Sequence, residues 1–559
     1  MILGIDVGGT HTDAVLIDRF SVLNKAKVLT DEQNLLNSLL AVTNELIDAS
    51  NVRRLERVVL STTISTNAIV QNKVDRVGMV VVSGPGLPPC HYDVNQDTYF
   101  LSGYINHRGI EIARIDRKEA LQIRNRFRSE GINHAGIVGK FSTRNPRQEF
   151  ELADIVGEQL HHVSLGHRMS GHLNFPRRIA TTYLNESIWH IHQRFVEEVL
   201  HFVHARGIDV PIYILKADGG TFEISQSVEF PVETILSGPA ASIMGIMATT
   251  ACASDAIALD IGGTTTDIAV FADGVPLFEA FGVTIEGNKT LIRGLKTRSV
   301  GIGGDSAVRL HNGKFSIGPQ REGPAAAFGG PFPTPTDAMI VLGISSIGNP
   351  AKAADSLRPI AEALHCPVVE AAGKIFEETC LIIADHVRNF VEEINEQPVY
   401  TIHEMLEGKK LTPRLLYVVG GPAGPLAPEL GKLLACEPHI PVHAEISNAI
   451  GAALARTTAE MTILADTEQR ILTIAEEGYQ TAIPSGFTMQ DVIRTGREKL
   501  REKVLRMGAA ENDLEIEVVE AQEFSMVRQY ATTGKNMRVK VQIKPGCIAD
   551  FKLGDALCR

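Results

Sequence analysis

The sequence lacks several features that would place it in other protein classes. Its seven cysteines are scattered and contain no CxxC pair, so neither a disulfide framework nor a zinc ribbon is indicated. No apolar run reaches the ~20 residues that a membrane-spanning helix needs. The N-terminus enters a strand without the basic region or cleavage site of a secretory signal. We therefore expect a cytoplasmic protein with no membrane contact.

Positive charge and aromatic residues are also scarce. Lys and Arg number 54 against 66 Asp and Glu, which gives a formal net charge of −12. Because binding a nucleic-acid backbone needs clustered basic residues, nucleic acid is not an expected partner. Aromatic residues make up 6%, yet 44% hydrophobic and 21% charged residues are typical of a packed globular enzyme. With 559 residues, the chain exceeds the ~250–300 residues of one core, so two large lobes and a smaller part are expected.

One pattern of eight residues occurs twice and organises the chain. D-(V/I)-G-G-T-x-T-D begins at Asp6 and again at Asp260, each time between two short β-branched runs. Two such runs around a glycine turn predict a β-hairpin. The repeat therefore predicts two similar lobes, each of which begins with the same hairpin.

Alternating strand and helix signals predict an α/β protein. The first lobe is expected over residues 1–165, with strands at 57–60, 77–82 and 135–138, a helix capped by Thr30 or Asp31 with apolar positions up to Ile47, and a helix starting at Asn145. The second lobe is expected over residues 166–457, with small-residue helices at 237–248 and 448–455. Residues 458–559 predict a small α+β appendage, with a helix at 489–507 and strands at 514–519 and 537–543.

The two glycine turns suit phosphate binding. Backbone N–H groups are left unpaired in such a turn, no Cβ blocks the approach of a phosphate, and threonine hydroxyls add donors. Asp6 and Asp260 enter the turns, where a carboxylate would meet a hydrated Mg²⁺ or orient a water. Each copy taken singly is equally compatible with a plain glycine hairpin. The expected phosphate-binding residues are Gly8, Gly9, Thr10, Thr12, Asp13, Gly262, Gly263, Thr264, Thr265 and Thr266.

The order of the other segments resembles actin, sugar kinases and heat-shock chaperone ATPases. There the two hairpins are phosphate loops, the small-residue helices are connectors, and a Gly-Gly-Pro-Ala-Gly turn is the adenosine loop. The resemblance implies a two-lobed actin-like (ribonuclease H-like) ATPase fold with duplicated lobes and with ATP and Mg²⁺ as cofactors. It implies Asp6 and Asp260 as metal organisers and, with Asp267, as catalytic residues. Further nucleotide-binding residues would be Gly303, Gly304, Gly420, Gly421, Pro422 and Ala423.

A series of short motifs, found in the same order along the chain as in one family, restricts the resemblance to that family and extends it over residues 1–456. Together they resemble the A-type chain of the hydantoinase/oxoprolinase family. The motifs are Asp6-Val-Gly-Gly-Thr-His-Thr-Asp13, Ser61-Thr-Thr-Ile-Ser-Thr-Asn67, Phe141-Ser-Thr-Arg-Asn-Pro146, Asp218-Gly-Gly220, Leu236-Ser-Gly-Pro-Ala-Ala241, Asp260-Ile-Gly-Gly-Thr-Thr-Thr-Asp267, Gly301-Ile-Gly-Gly-Asp-Ser306, Pro335-Thr-Asp337 with Val341-Leu-Gly343, and Gly420-Gly-Pro-Ala-Gly-Pro425. Against the family pattern, His11 replaces an aromatic residue and Asp305 replaces a glycine.

The resemblance implies ATP-dependent hydrolysis of a cyclic amide such as a hydantoin or 5-oxoproline. Phosphorylating the carbonyl oxygen would turn a poor electrophile into one that water can attack. Similar carboxylases activate acetone or acetophenone, and such chains commonly work with a B-type partner subunit. We also expect a homo-oligomer. Two alternatives are a small-molecule kinase with one catalytic aspartate and an ATP-driven switch that remodels a partner protein, although the cysteines show no spacing for an iron–sulfur cluster.

Substrate residues are expected on two loops of the first lobe. Residues 61–67 combine hydroxyl and amide donors with a helix N-terminus, which suits an anion or a substrate carboxylate, but a plain helix cap uses the same residues. A polar loop holds the second pair. The predicted substrate residues are Thr62, Thr63, Thr66, Asn67, His107 and Arg108.

Other polar groups have two interpretations each. Asp305 is a general base if it points inward, although solvation is favoured, and the turn at Asp218 either faces the cleft or is plain. His190, His201 and His204 share one face of a predicted helix, where a solvated surface is favoured over a metal site. Trp189 is expected in the core.

Overall fold

The computed structural model describes residues 1–31, 35–46, 52–396, 410–528, 530–548 and 553. Its strands are Ile2–Val7 (β1), His11–Ile17 (β2), Val22–Leu29 (β3), Arg57–Thr62 (β4), Val77–Val82 (β5), Thr98–Phe100 (β6), Tyr104–Ile105 (β7), Glu111–Ala113 (β8), His134–Gly139 (β9), His162–Leu165 (β10), Ile212–Leu215 (β11), Thr221–Glu223 (β12), Ala256–Ile261 (β13), Thr266–Ala272 (β14), Val275–Pro276 (β15), Thr284–Ile285 (β16), Asn288–Lys289 (β17), Thr297–Val300 (β18), Val308–His311 (β19), Lys314–Ile317 (β20), Leu415–Val419 (β21), Glu437–His439 (β22), Glu460–Asp466 (β23), Ile471–Ile474 (β24), Tyr479–Ala482 (β25), Ile516–Arg528 (β26) and Ala531–Ile543 (β27).

The α-helices alternate with these strands over most of the chain. They are Leu35–Leu46 (α1), Ile64–Val70 (α2), Arg117–Glu130 (α3), Arg147–Val156 (α4), Gly166–Met169 (α5), Phe175–Ala205 (α6), Ile224–Ser227 (α7), Ser237–Thr249 (α8), Pro335–Val341 (α9), Pro350–Ala363 (α10), Val368–Glu396 (α11), Ala423–Leu434 (α12), Ser447–Leu454 (α13) and Met489–Arg506 (α14). None of the helices in the described ranges combines the length and the apolar character that crossing a bilayer requires.

Both predicted hairpins are present, and each opens an equivalent sheet. In the first, β1 and β2 pair antiparallel with Asp6 opposite Asp13, and β4 runs parallel to β1. In the second, β13 and β14 pair antiparallel with Asp260 opposite Asp267, and β21 runs parallel to β13. The order is β12-β11-β4-β1-β2-β3 in the first sheet and β15-β14-β13-β21-β22 in the second, with β18 on β14. The duplicated sequence pattern therefore corresponds to duplicated topology.

The two small-residue helices, α8 and α13, cross in close contact between these sheets. A Cβ at Gly451 of α13 would lie 1.9 Å from the carbonyl oxygen of Ala241, and one at Gly245 would lie 2.1 Å from the carbonyl oxygen of Ser447. A Cβ at Gly4 of β1 would lie 2.3 Å from the carbonyl oxygen of Ala449. Only glycine permits these backbone approaches, so the crossing of the connectors is fixed by sequence.

Between the first hairpin and α8, the chain also forms a second, separate sheet. The strands β10-β9-β5-β6 form a parallel sheet, and β5 has the bounds expected from its Val-rich run. The long helix α6 packs against β9 and continues to β11. Residues 212–223, which the sequence assigned to the second lobe, pair with the first sheet through β11 and β4. The boundary at 165–166 stays a prediction.

The C-terminal region is an α+β unit that extends the core of the first sheet. Its strands are ordered β25-β24-β23-β27-β26. Leu3 and Leu60 of the first sheet share one hydrophobic cluster with Ile463, Leu500 and Val541. The helix α14 has nearly the predicted bounds, whereas β26 and β27 are each 13 residues long and exceed the predicted strands.

Some local expectations differ from the structure. Trp189 is half-buried instead of lying in the core, and its ring stacks on His162 at a centroid distance of 4.3 Å. The helix after Asn145 begins at Arg147, and Asn145 Oδ1 accepts the amide of Arg147. Thr30 Oγ1 donates to the carbonyl of Gly8 at 2.8 Å. Ile47, which was expected as the last apolar position of the first helix, lies outside the described residues.

Candidate active site

The tips of the two glycine hairpins face each other. Gly8 N donates to the carbonyl of His11 at 3.1 Å, and Gly262 N donates to the carbonyl of Thr265 at 2.9 Å, so both turns close in the same way. The hydroxyl oxygens of Thr10 and Thr264 lie 3.5 Å apart across the gap. Equivalent positions of the repeat therefore meet at one place.

Two of the predicted threonine donors lie inside the sheets. Thr12 is fully buried, and its hydroxyl lies 3.0 Å from that of Thr30. Thr266 is also fully buried, and its hydroxyl donates to the carbonyl of Ile302 at 2.7 Å. These hydroxyls hold the hairpins in place, which the sequence did not indicate. Thr10, Thr264 and Thr265 are only partly buried.

Asp6 and Asp260 end the strands that enter the turns and share polar neighbours. Ser242 Oγ of α8 lies 2.5 Å from Asp260 Oδ2, and Asn448 Nδ2 of α13 donates to the same oxygen at 3.3 Å. Ser61 and Asn448 also lower the pKa of Asp6 as polar neighbours. Both connector helices thus bring a polar side chain to the carboxylates.

The carboxyl group of Asp6 is strongly perturbed. It is buried, and Oδ1 has no hydrogen-bond partner of good geometry within the described ranges. Burial, together with the charges of Asp13 and Asp260, raises the pKa of Asp6 to about 7, and the polar neighbours Ser61 and Asn448 only partly oppose this rise. A carboxyl with a pKa near neutral exchanges protons at physiological pH.

The opposing aspartates of the two hairpins have different surroundings. Asp13 accepts from Lys27 Nζ at 2.7 and 2.8 Å, and burial raises its pKa more than Lys27 lowers it. Asp267 is half-buried, and desolvation together with the charge of Asp260 raises its pKa to about 7. Asp260 and Asp267 line the same small pocket, so like charges concentrate at the second hairpin.

Two further glycine turns pack against the second hairpin. Gly304 N donates to the carbonyl of Gly262 at 2.9 Å, so the glycine motif at residues 301–306 contacts the hairpin turn directly. At the end of β21, Gly420 has a φ of 96°, and its Cβ would lie 2.2 Å from the carbonyl oxygen of Ile261. Only glycine fits there. A Cβ at Gly421 would meet no atom within 4 Å, so the adenosine-type turn leaves open space beside the second hairpin.

The two residues that depart from the family pattern are linked through one arginine. Asp305 Oδ2 lies 3.5 Å from an amino group of Arg321 and would be 2.9 Å from a Cβ at Gly263. Burial and then the charges of Lys27 and Arg321 lower the pKa of His11 to about 4. Asp305 thus points at the second turn instead of being solvated alone, while His11 of the first hairpin is neutral at pH 7.

The predicted substrate loop 61–67 lies beside the first hairpin. Thr63 N donates to the carbonyl of Val7 at 3.3 Å, and Thr62 is fully buried with its hydroxyl accepting the amide of Ile64. Thr66 accepts the amide of Leu236 at 3.1 Å. Asn67 is exposed and donates to the Thr63 hydroxyl at 3.3 Å. Much of the donor set is used for local structure, and its substrate role stays a prediction.

The other predicted contacts are distributed elsewhere. His107 is exposed, and Arg108 bonds Glu468 of the C-terminal region at 2.6 Å. Asp218 closes the turn between β11 and β12, where its Oδ1 accepts the amide of Gly220 at 2.9 Å. The side chain of Asp218 lines a separate cavity. Arg108 and Asp218 thus have partners outside the hairpin turns, and the substrate role of His107 and Arg108 stays a prediction.

The histidines of the predicted face lie on the exposed side of α6. Within the described ranges, no group of three or more His, Cys, Asp or Glu side chains is arranged to hold a metal ion. His190 Nδ1 lies 3.8 Å from Asp75 Oδ1 and His201 is exposed, which agrees with the favoured solvated surface.

Sequence reasoning missed the polar residues that come from the connectors and from distant loops. Ser242 and Asn448 lie in the helices α8 and α13, which were predicted from their small residues. Arg321 follows the short hairpin of β19 and β20. The sequence does contain one signal for Ser242 and Asn448, which is a polar residue in an otherwise small and apolar helix. Because a buried polar side chain needs a hydrogen-bond partner, such a residue indicates a polar contact.

Comparison with known proteins places the chain in a family. The profile of the hydantoinase/oxoprolinase family matches residues 178–461, and the profile of its N-terminal region matches residues 2–160. The chain belongs to the hydantoinase/oxoprolinase family.

Two curated proteins are similar to this hydantoinase/oxoprolinase chain over most of its length. Caprolactamase subunit alpha from Pseudomonas jessenii is 25% identical over 445 residues, which are 71% of this chain and 63% of that protein. The gamma subunit of acetophenone carboxylase from Aromatoleum aromaticum is 24% identical over 436 residues, or 67% of this chain and 58% of that protein. The chain thus spans less than two thirds of these relatives.

A solved structure confirms the fold of this hydantoinase/oxoprolinase chain. Nucleotide-free acetone carboxylase superposes with a TM-score of 0.71 at 18% identity, covering 98% of this chain and 88% of that one. The predicted two-lobed actin-like ATPase fold with duplicated lobes is therefore confirmed.

Proposed function

We propose that this chain is the ATP-using component of a cyclic amide hydrolase. The observation that carries the proposal is the meeting of two duplicated glycine turns, with Thr10 and Thr264 3.5 Å apart and with Asp6 and Asp260 directly behind them. Membership of the hydantoinase/oxoprolinase family and similarity to a caprolactamase support a cyclic amide as the substrate class.

The residues at the hairpins fit ATP with Mg²⁺. A Cβ at Gly9 or Gly421 would meet no atom within 4 Å, so a polyphosphate has an open approach to the turns. Among the residues that the structure describes, Asp6 Oδ1 has no hydrogen-bond partner. Burial raises the pKa values of Asp6 and Asp267, and a bound cation would lower them again. Because Mg²⁺ is usually held by one or two carboxylates plus substrate phosphates, a cage of protein ligands is not required. Asp6 and Asp260 would hold the ion.

Bound Mg-ATP would supply an activated phosphoryl group for the amide oxygen. The chain's own part is to position the reacting groups. The backbone N–H groups at Gly9 and Gly263 would donate toward the phosphates. Asn448 keeps Asp260 oriented, and Asp6 would hold the ion beside it. Asp267 would supply a further carboxylate beside Asp260. The α8 and α13 crossing allows the lobes to close and exclude water.

A carboxylase role is the second candidate, because one relative is a subunit of acetophenone carboxylase. Both relatives are named as subunits of larger enzymes, which supports a B-type partner subunit for this chain. A cytoplasmic location and a homo-oligomer stay predictions.

The test is substrate-stimulated ATP hydrolysis. Purified protein would be assayed for phosphate release with Mg-ATP and a panel of lactams, hydantoins and ketones, with and without a candidate B-type subunit. We expect stimulation by a cyclic amide and formation of the ring-opened acid. Stimulation by a ketone with bicarbonate would identify the carboxylase instead. Failure to bind any nucleotide would refute both.

A further inference from the structure

Arg321, which follows β20, is held beside the second glycine hairpin. The carbonyl of its neighbour Gln320 accepts the amide of Ala307 at 3.0 Å. This bond brings Arg321 next to Asp305, whose Oδ2 lies 3.5 Å from an amino group of the guanidinium. Asp305 is itself fixed to the second turn, because its amide donates to the carbonyl of Gly263 at 2.7 Å. The arginine thus reaches the turn through Asp305.

The guanidinium of Arg321 is also within electrostatic reach of the first hairpin. Burial and then the charges of Lys27 and Arg321 lower the pKa of His11, so both cations are close to His11. The tips of the two hairpins meet where the hydroxyl oxygens of Thr10 and Thr264 lie 3.5 Å apart. A polyphosphate held between the turns would therefore have Arg321 at its side.

The two cations near His11 differ in how firmly they are paired. Lys27 Nζ donates to both carboxylate oxygens of Asp13, at 2.7 and 2.8 Å. Within the described ranges, the side chain of Arg321 has Asp305 as its only hydrogen-bond partner, at 3.5 Å, and its Nε is buried without a partner. A charge-assisted hydrogen bond is usually ~2.7–2.9 Å long. Lys27 is therefore committed to Asp13, whereas Arg321 is held loosely.

Arg321 retains the donors that a phosphate group needs. A guanidinium carries several N–H donors in a planar fork, which fits a phosphate through pairs of parallel hydrogen bonds. Because Nε is buried, the donors left for a ligand are on the terminal amino groups, and the side chain is 24% exposed. The long contact with Asp305 occupies few of these donors, so most of them stay available.

Asp305 opposes phosphate binding at the same place. A Cβ at Gly263 would lie 2.9 Å from Asp305 Oδ2, so the carboxylate lies directly against the second turn. Burial raises the pKa of Asp305, although the charge of Arg321 opposes this rise. Two negative groups this close disfavour each other. The carboxylate also occupies Arg321, and it therefore competes for the arginine that a phosphate would use.

We infer that Arg321 binds a phosphate group of the nucleotide, and that Asp305 holds the guanidinium in place and competes with the phosphate for it. The inference rests on the proposed function for the presence of the nucleotide. It adds a phosphate-binding residue from outside the duplicated hairpins, and it assigns to Asp305 a positioning role that lowers the affinity for nucleotide.

The test is equilibrium binding of AMPPNP, an ATP analogue that resists hydrolysis, measured by calorimetry with Mg²⁺ present. R321Q removes the positive charge and should weaken binding about 10- to 100-fold, the effect of losing hydrogen bonds to a charged group. D305N keeps the size of the side chain but removes its charge. It should strengthen binding about three- to tenfold, as expected for one like charge in a partly solvated site. An ion pair that only stabilised the fold would shift both affinities in the same direction.

The matched control is K314Q. Lys314 is exposed and begins β20, at the opposite end of that strand from Arg321, so losing its charge should leave AMPPNP binding unchanged. Unchanged binding by R321Q, or weaker binding by D305N, would overturn the inference and leave the ATP-using function standing. D305N decides the sign even if R321Q proves unstable. An unaltered protein that binds no AMPPNP would refute the function and the inference together.

Discussion

Replacing Asp6 by asparagine should stabilise the nucleotide-free protein while abolishing its activity. Asp6 is 4% exposed, and burial raises its pKa from 3.8 to about 7. The folded state therefore holds the proton more tightly than the unfolded state. This contribution is fully present below pH 3.8 and is lost as pH rises through 7.

The magnitude follows from the size of this rise in pKa. At ~1.4 kcal/mol per pKa unit, it corresponds to about 4 kcal/mol. Asparagine is uncharged at every pH, so D6N should gain little over the unaltered protein at pH 4 and up to about 4 kcal/mol above pH 7. The same variant loses the negative charge that would hold the ion, so substrate-stimulated ATP hydrolysis should disappear.

The measurement is denaturant unfolding of both proteins at pH 5 and pH 8, without nucleotide and with a chelator. The control D355N changes an exposed aspartate that pairs with Arg358 and should alter stability little at either pH. If D6N were less stable at pH 8, or if its gain were the same at both values, the buried charge would not be the destabilising group and the reasoning would be refuted.

Three further predictions concern the surroundings of the carboxylates. N448A should lower the kcat of ATP hydrolysis about 10- to 100-fold in steady-state assays, because a hydrogen bond to charged groups is lost; an unchanged kcat would contradict its positioning role. G451A should destabilise the protein by about 3 kcal/mol or more in thermal unfolding, since the new Cβ would lie 1.9 Å from a backbone oxygen. The control G373A, where a Cβ meets no atom within 4 Å, should show no loss. R321A should raise the pKa of His11 in an NMR titration, because a positive charge is removed; a lowered or constant pKa would contradict their proximity.

Much of the fold was predictable because its signals are local. The hairpins at residues 6 and 260 follow from β-branched runs around glycine pairs, and β5 coincides with its apolar run. Burial of polar groups was not predictable in the same way. Thr12 and Thr266 look like turn donors in the sequence, but their strands direct them inward. The partial exposure of Trp189, whose ring stacks on His162, was not predictable from the sequence either.

The candidate site was predicted in part. Asp6 and Asp260 were found because the repeat marks them, whereas Asn448 was not, since its partner Asp260 lies 188 positions away. The substrate role of His107 and Arg108 stays a prediction, and the pairing of Arg108 with Glu468 of the C-terminal unit was not foreseen. Long-range charge pairs leave no periodic trace in a sequence.

The sequence by itself determined the duplicated hairpins, the small-residue connectors and the family, because glycine geometry and strand patterning act between near neighbours. Only the tertiary structure decided that Ser242 and Asn448 reach the carboxylates, that Arg321 connects His11 with Asp305, and that the C-terminal unit completes a cavity around Asp218. These depend on how distant segments pack, and packing brings together side chains whose separation in sequence carries no information about their separation in space.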